Sequence, residues 1–248
     1  VTFTCLLKAC GLTRNADKGE VIHTEISRRG LLGTDVVIGN ALVDMYFKCG
    51  LVEKAQEVFI KLQGKDVVTW TTLIGGWVES GHSDHALEWF EKMLLEGISP
   101  NLITFLCGLK ACTIMGDLNK GREIHAEITK EGFEGDYLIG NSLVEMYTKS
   151  SAFEEAKKVL LDLPVKSTIA WTAIISYYVE HGLYSEVLNV LESMQQKDVY
   201  LDVVAFLYGL QACGCTADQA RGQELHMKIL KQGIERDLFV GNSLVDMY

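Results

Sequence analysis

The chain has 248 residues, 48% of them apolar and 23% charged, with a formal net charge of −10. That balance argues against a disordered chain, and no apolar run approaches the roughly 20 residues that a membrane-crossing helix needs. The acidic excess argues against holding nucleic acid by bulk electrostatics, because that mode neutralises phosphates with Lys and Arg.

Val1 stands where a Met would open a complete chain, and no basic segment leads into an apolar one, so the sequence reads as an excerpt. Residues 1–35 carry TCLLKAC at 4–10 and, later, GLLGTD at 30–35. Next comes IGNALVDMY at 38–46, which returns as IGNSLVEMY at 139–147 and VGNSLVDMY at 240–248, spacing Asn40, Asn141 and Asn242 by 101 residues. VVTWTTLIGGWVESG at 67–81 answers to TIAWTAIISYYVEHG at 168–182. TFLCGLKAC at 104–112 answers to AFLYGLQAC at 205–213. A fixed period of this kind is the mark of a repeat architecture.

The 101-residue block divides into units of 31, 35 and 35 residues. The boundaries fall at 36–66, 67–101 and 102–136, then 137–167, 168–202 and 203–237. Residues 1–35 form one more unit, trimmed by its first residue and lengthened by one in GLLGTD, and residues 238–248 begin an eighth. Inside a unit the apolar residues fall at helical spacing, as in Trp70, Leu73, Ile74 and Trp77. A break at Ser80 and Gly81 follows, and then a second run of Ala86, Leu87, Phe90 and Met93. Gly50, Gly81, Gly116 and Gly182 stand where the chain must reverse, and the only prolines, Pro100 and Pro164, lie at unit ends. A single hairpin cannot bury both faces, so stacked neighbours predict an all-α, right-handed α-solenoid of helix-turn-helix repeats, about seven units long.

Seven cysteines include three in the recurring setting KAC, KAC and QAC, at Cys10, Cys112 and Cys213. One thiol per repeat block suits a small buried residue better than a disulfide framework. His23, His125 and His226 also recur once per block. Copies so far apart cannot converge on one ion, so packing or hydrogen bonding is expected and no metal or other cofactor. HTE at 23–25 and HAE at 125–127 match the H-x-E of zinc deaminases, but no C-x-x-C accompanies them. G-x-S-x-G, P-loop and H-E-x-x-H motifs are missing as well, and no catalytic activity is expected. Trp70, Trp77, Trp89 and Trp171 sit at helical spacing beside Leu and Phe and are expected in the core. Read alone, Asn40, Asn141 and Asn242 suit helix N-caps, and Thr71 and Thr172 share that ambiguity.

The tetratricopeptide pattern W-x2-L-G-x2-Y with a closing Pro is not kept. Residues 67–101, VVTWTTLIGGWVESGHSDHALEWFEKMLLEGISPN, instead resemble the standard (P-type) pentatricopeptide repeat. Residues 102–136 resemble its long (L-type) variant, and 36–66 its short (S-type) one. The order L, S, P, L, S, P, L, S resembles the PLS class of plant organelle RNA-processing factors and covers the whole chain.

That resemblance implies a non-enzymatic array lying along single-stranded RNA, one base per repeat, in a mitochondrion or chloroplast, where it selects sites for editing or other processing. Base choice is attributed to the fifth and last residues of each repeat, whose amides, hydroxyls and carboxylates can match the edge of an unstacked base. By that pairing Asn40 with Asp66 implies U, Thr71 with Asn101 implies A, Asn141 with Ser167 implies C, and Thr172 with Asp202 implies G. Asn242 has lost its partner. Leu106 and Leu207 hold the fifth position of two L-type units and cannot hydrogen-bond a base, although Thr4 can. The implied target is N-U-A-N-C-G-N, read 5′ to 3′.

Val37, Val68, Leu138 and Ile169, each second in its repeat, resemble the apolar clamp on a base plane. Lys48 and Lys149 are placed to meet phosphates, whereas the matching Glu79 and Glu180 are not. PLS-class proteins are also thought to use accessory proteins near L-type units. A rival reading is therefore a protein-interaction scaffold of an editing complex, with little RNA affinity of its own.

Overall fold

A computed structural model of the chain describes residues 2–33, 35–163 and 168–248. Two compact units are present, Val1–Phe133 and Glu134–Tyr248. Among the described residues the regular structure is helical throughout.

The first unit contains α1 (Thr2–Leu12), α2 (Ala16–Arg28), α3 (Val36–Lys48), α4 (Val52–Lys61), α5 (Val67–Glu79), α6 (Ser83–Leu95), α7 (Leu102–Met115) and α8 (Leu118–Lys130), with a 3-10 turn at Leu31–Gly33. Its odd-numbered helices pack side by side, α1 on α3, α3 on α5 and α5 on α7. Each even-numbered helix closes a hairpin with its predecessor, and α2, α4 and α6 also lean on the odd helix that follows. Two layers result, with the odd helices forming one continuous row and the even helices the other.

The second unit repeats the plan with α9 (Tyr137–Lys149), α10 (Phe153–Asp162), α11 (Thr168–Glu180), α12 (Tyr184–Gln196), α13 (Val203–Thr216), α14 (Gln219–Gln232) and α15 (Leu238–Met247). Here α9, α11, α13 and α15 lie side by side in the same way. No described helix is long and apolar enough to cross a membrane.

The apolar stripes meet between the layers. Trp70 of α5 is 1% exposed, with its ring 5.0 Å from that of Phe59 on α4. Phe59 in turn packs edge-on to Trp89 of α6 at 5.3 Å. Trp77 meets Phe47 of α3 at 5.4 Å, and Trp171 is buried in the second unit. Burial of each such side chain contributes about 1.5–3 kcal/mol, which is why the tryptophans belong to the core. Cys10, Cys112 and Cys213 are buried as free thiols. The turns at Gly50, Gly81, Gly116 and Gly182 all take φ between 68° and 82°, where a Cβ would be strained.

One expectation from the sequence is corrected. Asn40 does not cap α3. It lies inside the first turns, and the cap is Asp35, whose Oδ1 accepts from Val37 N–H at 3.0 Å and Ile38 N–H at 3.2 Å. Asp136 and Asp237 cap α9 and α15 in the same way, which moves Asn141 and Asn242 inside their helices too. Thr71 likewise lies within α5, and the cap there is Asp66.

Candidate nucleic-acid interface

The positions singled out in the sequence gather on the first turns of the odd-numbered helices and on the connections leading into them. Asp35, Asp66 and Asp136 fix the starts of α3, α5 and α9, and the second residue of each repeat there stands out from the core. Val37 and Val68 are 67% and 52% exposed, and Leu138 is 38% exposed. An apolar side chain left on a helix surface at the same place in successive hairpins offers a platform for a flat ring. The side chain of Ile169 and all of Ser167 lie outside the described residues.

Asn40 and Asn141 sit one turn further in. Both are partly buried, and their Oδ1 atoms are buried with no hydrogen-bond partner. An unpaired buried acceptor costs about 1–3 kcal/mol, so these amides are held in an arrangement that packing alone does not favour. Their placement follows from the preceding glycines. A Cβ at Gly39 would overlap Leu62, and one at Gly140 would overlap Leu163, so the connection after each hairpin lies directly against the start of its own first helix.

Among the described residues, the last residues of the units cap the helices that follow. Asp66 Oδ1 accepts from Thr69 N–H and from Thr69 Oγ1–H, both at 2.9 Å. The Thr69 backbone N–H, foremost among several donors, holds the Asp66 carboxyl below its ordinary range. Asp202 Oδ1 accepts from Ala205 N–H at 2.8 Å. Asn101 forms a reciprocal box with Thr104: its Oδ1 accepts from Thr104 N–H at 2.9 Å, and its own N–H donates to Thr104 Oγ1 at 3.4 Å.

Thr71 and Asn101 are brought together by that box. Thr71 Oγ1 lies 2.6 Å from Thr104 Oγ1, which lies 3.0 Å from Asn101 Oδ1. Thr71 Oγ1 also donates to the Val67 carbonyl at 2.7 Å. Thr172 Oγ1 makes the matching bond to the Thr168 carbonyl at 3.0 Å. Thr104 and Thr69 are fully buried, and sequence reasoning passed over both. The available signal was a Thr three residues after Asp66 and after Asn101.

Between α9 and α11 the surface opens into a groove of about 450 Å³ lined by Asn141, Glu145, Thr148, Lys149, Tyr177 and Glu180 among others. Tyr177 is a third residue that the sequence reading missed. Its ring is stacked 3.9 Å from Phe153 and 3.8 Å from His181. A similar volume, about 450 Å³, separates α13 from α15 and is lined by Leu207, Tyr208, Phe239, Asn242 and Asp246. Leu106 and Leu207 are half-buried.

Lys149 lines the groove between α9 and α11, and Lys48 lines a cleft between the ends of α1, α3 and α5; each is paired with a carboxylate one turn earlier on its own helix, Asp44 at 2.7 Å and Glu145 at 2.9 Å. Such part-exposed pairs contribute only about 0–1 kcal/mol, so a phosphate can displace the acid. His23 Nδ1 lies 2.7 Å from Tyr46 Oη, and His226 Nδ1 lies 3.0 Å from Tyr248 Oη, so these histidines hydrogen-bond across a hairpin junction. No group of His, Cys, Asp and Glu among the described residues is arranged to hold a metal ion.

Comparison with known proteins yields consistent matches. A family model described as "PPR repeat family" matches residues 65–114, and one described as "PPR repeat" matches residues 1–31, 40–67 and 169–199. A chloroplastic pentatricopeptide repeat-containing protein of Arabidopsis thaliana is 34% identical over 248 residues, all of this chain and 28% of the relative. A mitochondrial one from the same plant is 32% identical over 247 residues, 100% of this chain and 24% of the relative. The chain thus spans about a quarter of the length of these relatives. Among solved structures, the pentatricopeptide repeat protein PPR10 from maize matches with a TM-score of 0.70 at 22% identity, covering 99% of this chain and 36% of that one. The same maize protein in complex with an 18-nt psaJ RNA element matches with a TM-score of 0.62 at 19% identity, covering 100% of this chain and 37% of that one.

Proposed function

The chain belongs to the pentatricopeptide repeat family, and we propose on that premise that it is a non-catalytic array that binds single-stranded RNA with one repeat addressing one base. The observation that carries this reading is the junction between units 67–101 and 102–136. There the fifth and last residues of one repeat, Thr71 and Asn101, share a hydrogen-bonded network through Thr104. Two side chains held in one network can present a fixed pattern of donors and acceptors to a base edge.

In this proposal Asn40 with Asp66 selects U, Thr71 with Asn101 selects A, Asn141 with Ser167 selects C, and Thr172 with Asp202 selects G, while Asn242 begins a further reader. Val37, Val68, Leu138 and Ile169 stack on base planes, and Lys48 and Lys149 meet phosphates. The alternation of unit types is that of the PLS class, and the repeats serve as the specificity part of an organelle RNA editing or processing factor. Relatives named chloroplastic and mitochondrial support the organelle, and the RNA-bound maize structure supports RNA as the partner.

Titrating labelled single-stranded RNA carrying N-U-A-N-C-G-N against a scrambled control tests the reading. Tighter binding of the ordered sequence is expected, and equal affinity for both sinks the base assignments. A second role is favoured by one feature: Leu207 and Phe239 line the groove between α13 and α15, where an accessory protein of an editing complex finds apolar surface. Copurification of such a partner, with no RNA binding at low salt, would make scaffolding the primary role.

A further inference from the structure

We propose that Thr104, which belongs to the repeat after the reader pair, is a positioning residue that fixes the polarity of base recognition by Thr71 and Asn101; this rests on the RNA-binding reading above. Thr104 is fully buried, and its hydroxyl lies between the two readers. The proton count of the network decides what the pair offers. Thr104 N–H can only donate, so the group of Asn101 that faces it must be Oδ1, and the Asn101 NH₂ group is left to face a base as a donor. Thr71 Oγ1 and Thr104 Oγ1 stand 2.6 Å apart, so one hydroxyl proton must lie between them. If Thr104 gives it, the Thr71 proton goes to the Val67 carbonyl 2.7 Å away. If Thr71 gives it, that proton is spent on Thr104, whose own proton then goes to Asn101 Oδ1 3.0 Å away.

In both arrangements a hydrogen bond inside the protein takes the Thr71 proton, on Val67 or on Thr104, so Thr71 faces the groove as an acceptor. The pair is therefore one acceptor and one donor. That pattern fits the amino donor and ring-nitrogen acceptor of adenine, and it opposes the carbonyl acceptor and ring N–H donor of guanine. Without the Thr104 hydroxyl, the Val67 carbonyl 2.7 Å away is the partner the network still offers the Thr71 proton, so a guanine carbonyl competes with one internal partner for that proton instead of two. The chain contains its own comparison: after Asp202 the equivalent place is Ala205, which supplies only its N–H.

The test uses the whole chain and seven-nucleotide RNAs of the form N-U-X-N-C-G-N, with X each of the four bases, for wild type, Thr104→Ala and Thr104→Ser. Ala at this place is tolerated in α13, and Thr104→Val replaces it if the Ala variant fails to fold. The expected result is that the wild-type preference for A over G falls at least fivefold in Thr104→Ala, that Thr104→Ser keeps it, and that U preference at the preceding nucleotide is unchanged. Retention of the full A-over-G preference in the Ala variant overturns the positioning role while leaving the base assignments standing. A wild-type chain that binds all four bases alike overturns both.

Discussion

Leu62 lies against Gly39 so closely that a Cβ on the glycine would overlap the leucine methyls. The contact ties the end of one hairpin to the start of its own first helix, and Leu163 on Gly140 repeats it. Gly39→Ala is expected to destabilise the chain by about 1–3 kcal/mol through overpacking. Gly75→Ala provides the contrast, because its Cβ would sit 3.5 Å from Cys107 Sγ, an ordinary contact, and a helical Ala gains about 0.5–1 kcal/mol over Gly. Urea unfolding of both variants checks the sign of each change.

Asp66 has two roles that substitutions can separate. Its Oδ1 caps α5, a task that Asn performs equally well, whereas Ala cannot. Asp66→Asn is expected to leave stability within a few tenths of a kcal/mol while abolishing the preference for U at the second nucleotide. Asp66→Ala should lose the preference and also cost about 1 kcal/mol. Paired melting and binding measurements on the two variants decide it.

The His23 and Tyr46 pair sets a pH dependence. Burial, the largest influence, lowers the His23 pKa, and burial raises Tyr46 to about 12, so the neutral ring accepts a hydrogen bond from a phenol that keeps its proton. A depressed folded pKa contributes stability above the unfolded value, near 6.5, that is lost as pH falls towards the folded one. Wild type should therefore lose more stability between pH 7 and pH 5 than His23→Gln, which can accept the same hydrogen bond without titrating. Parallel slopes for the two proteins would contradict the assignment.

Thiol chemistry reports the same packing. Burial pushes Cys112 up to about 12 and Cys213 up to about 11, while Cys5 and Cys215 are exposed. Iodoacetamide at pH 8 should modify Cys5 and Cys215 in the folded chain and reach Cys112 and Cys213 only after denaturant is added. Mass spectrometry of peptides resolves the four sites.

The hairpins were legible because the apolar spacing and the turn glycines are local properties. Trp70, Trp77 and the recurring cysteines went where that spacing directs. The caps are less legible: Asn40 taken alone has the chemistry of a cap, but Asp35 is better placed, and only the helix register distinguishes them. Thr69 and Thr104 escaped notice because their importance depends on which residues lie across the helix boundary.

Tyr177 illustrates a signal that was present in the repeat but unused. Where the first copy pairs Phe47 with Gly76, the second has Thr148 and Tyr177, so bulk has moved from one helix to the next. A Cβ at Gly76 would overlap the Phe47 ring. In the second copy the smaller Thr148 leaves room, and Tyr177 lines the groove beside it. Compensating differences between copies reveal contacts that the shared pattern conceals.

In the proposed reading Thr71 and Asn101 choose the third base. Affinities for RNAs differing only at that nucleotide, measured for wild type and for the double variant Thr71→Asn, Asn101→Asp, read that choice without intermediaries. Wild type is expected to prefer A and the variant U, each by about 1–3 kcal/mol, the scale of a paired contact to a base edge. The same base ranking in both proteins, or no ranking in either, would contradict it.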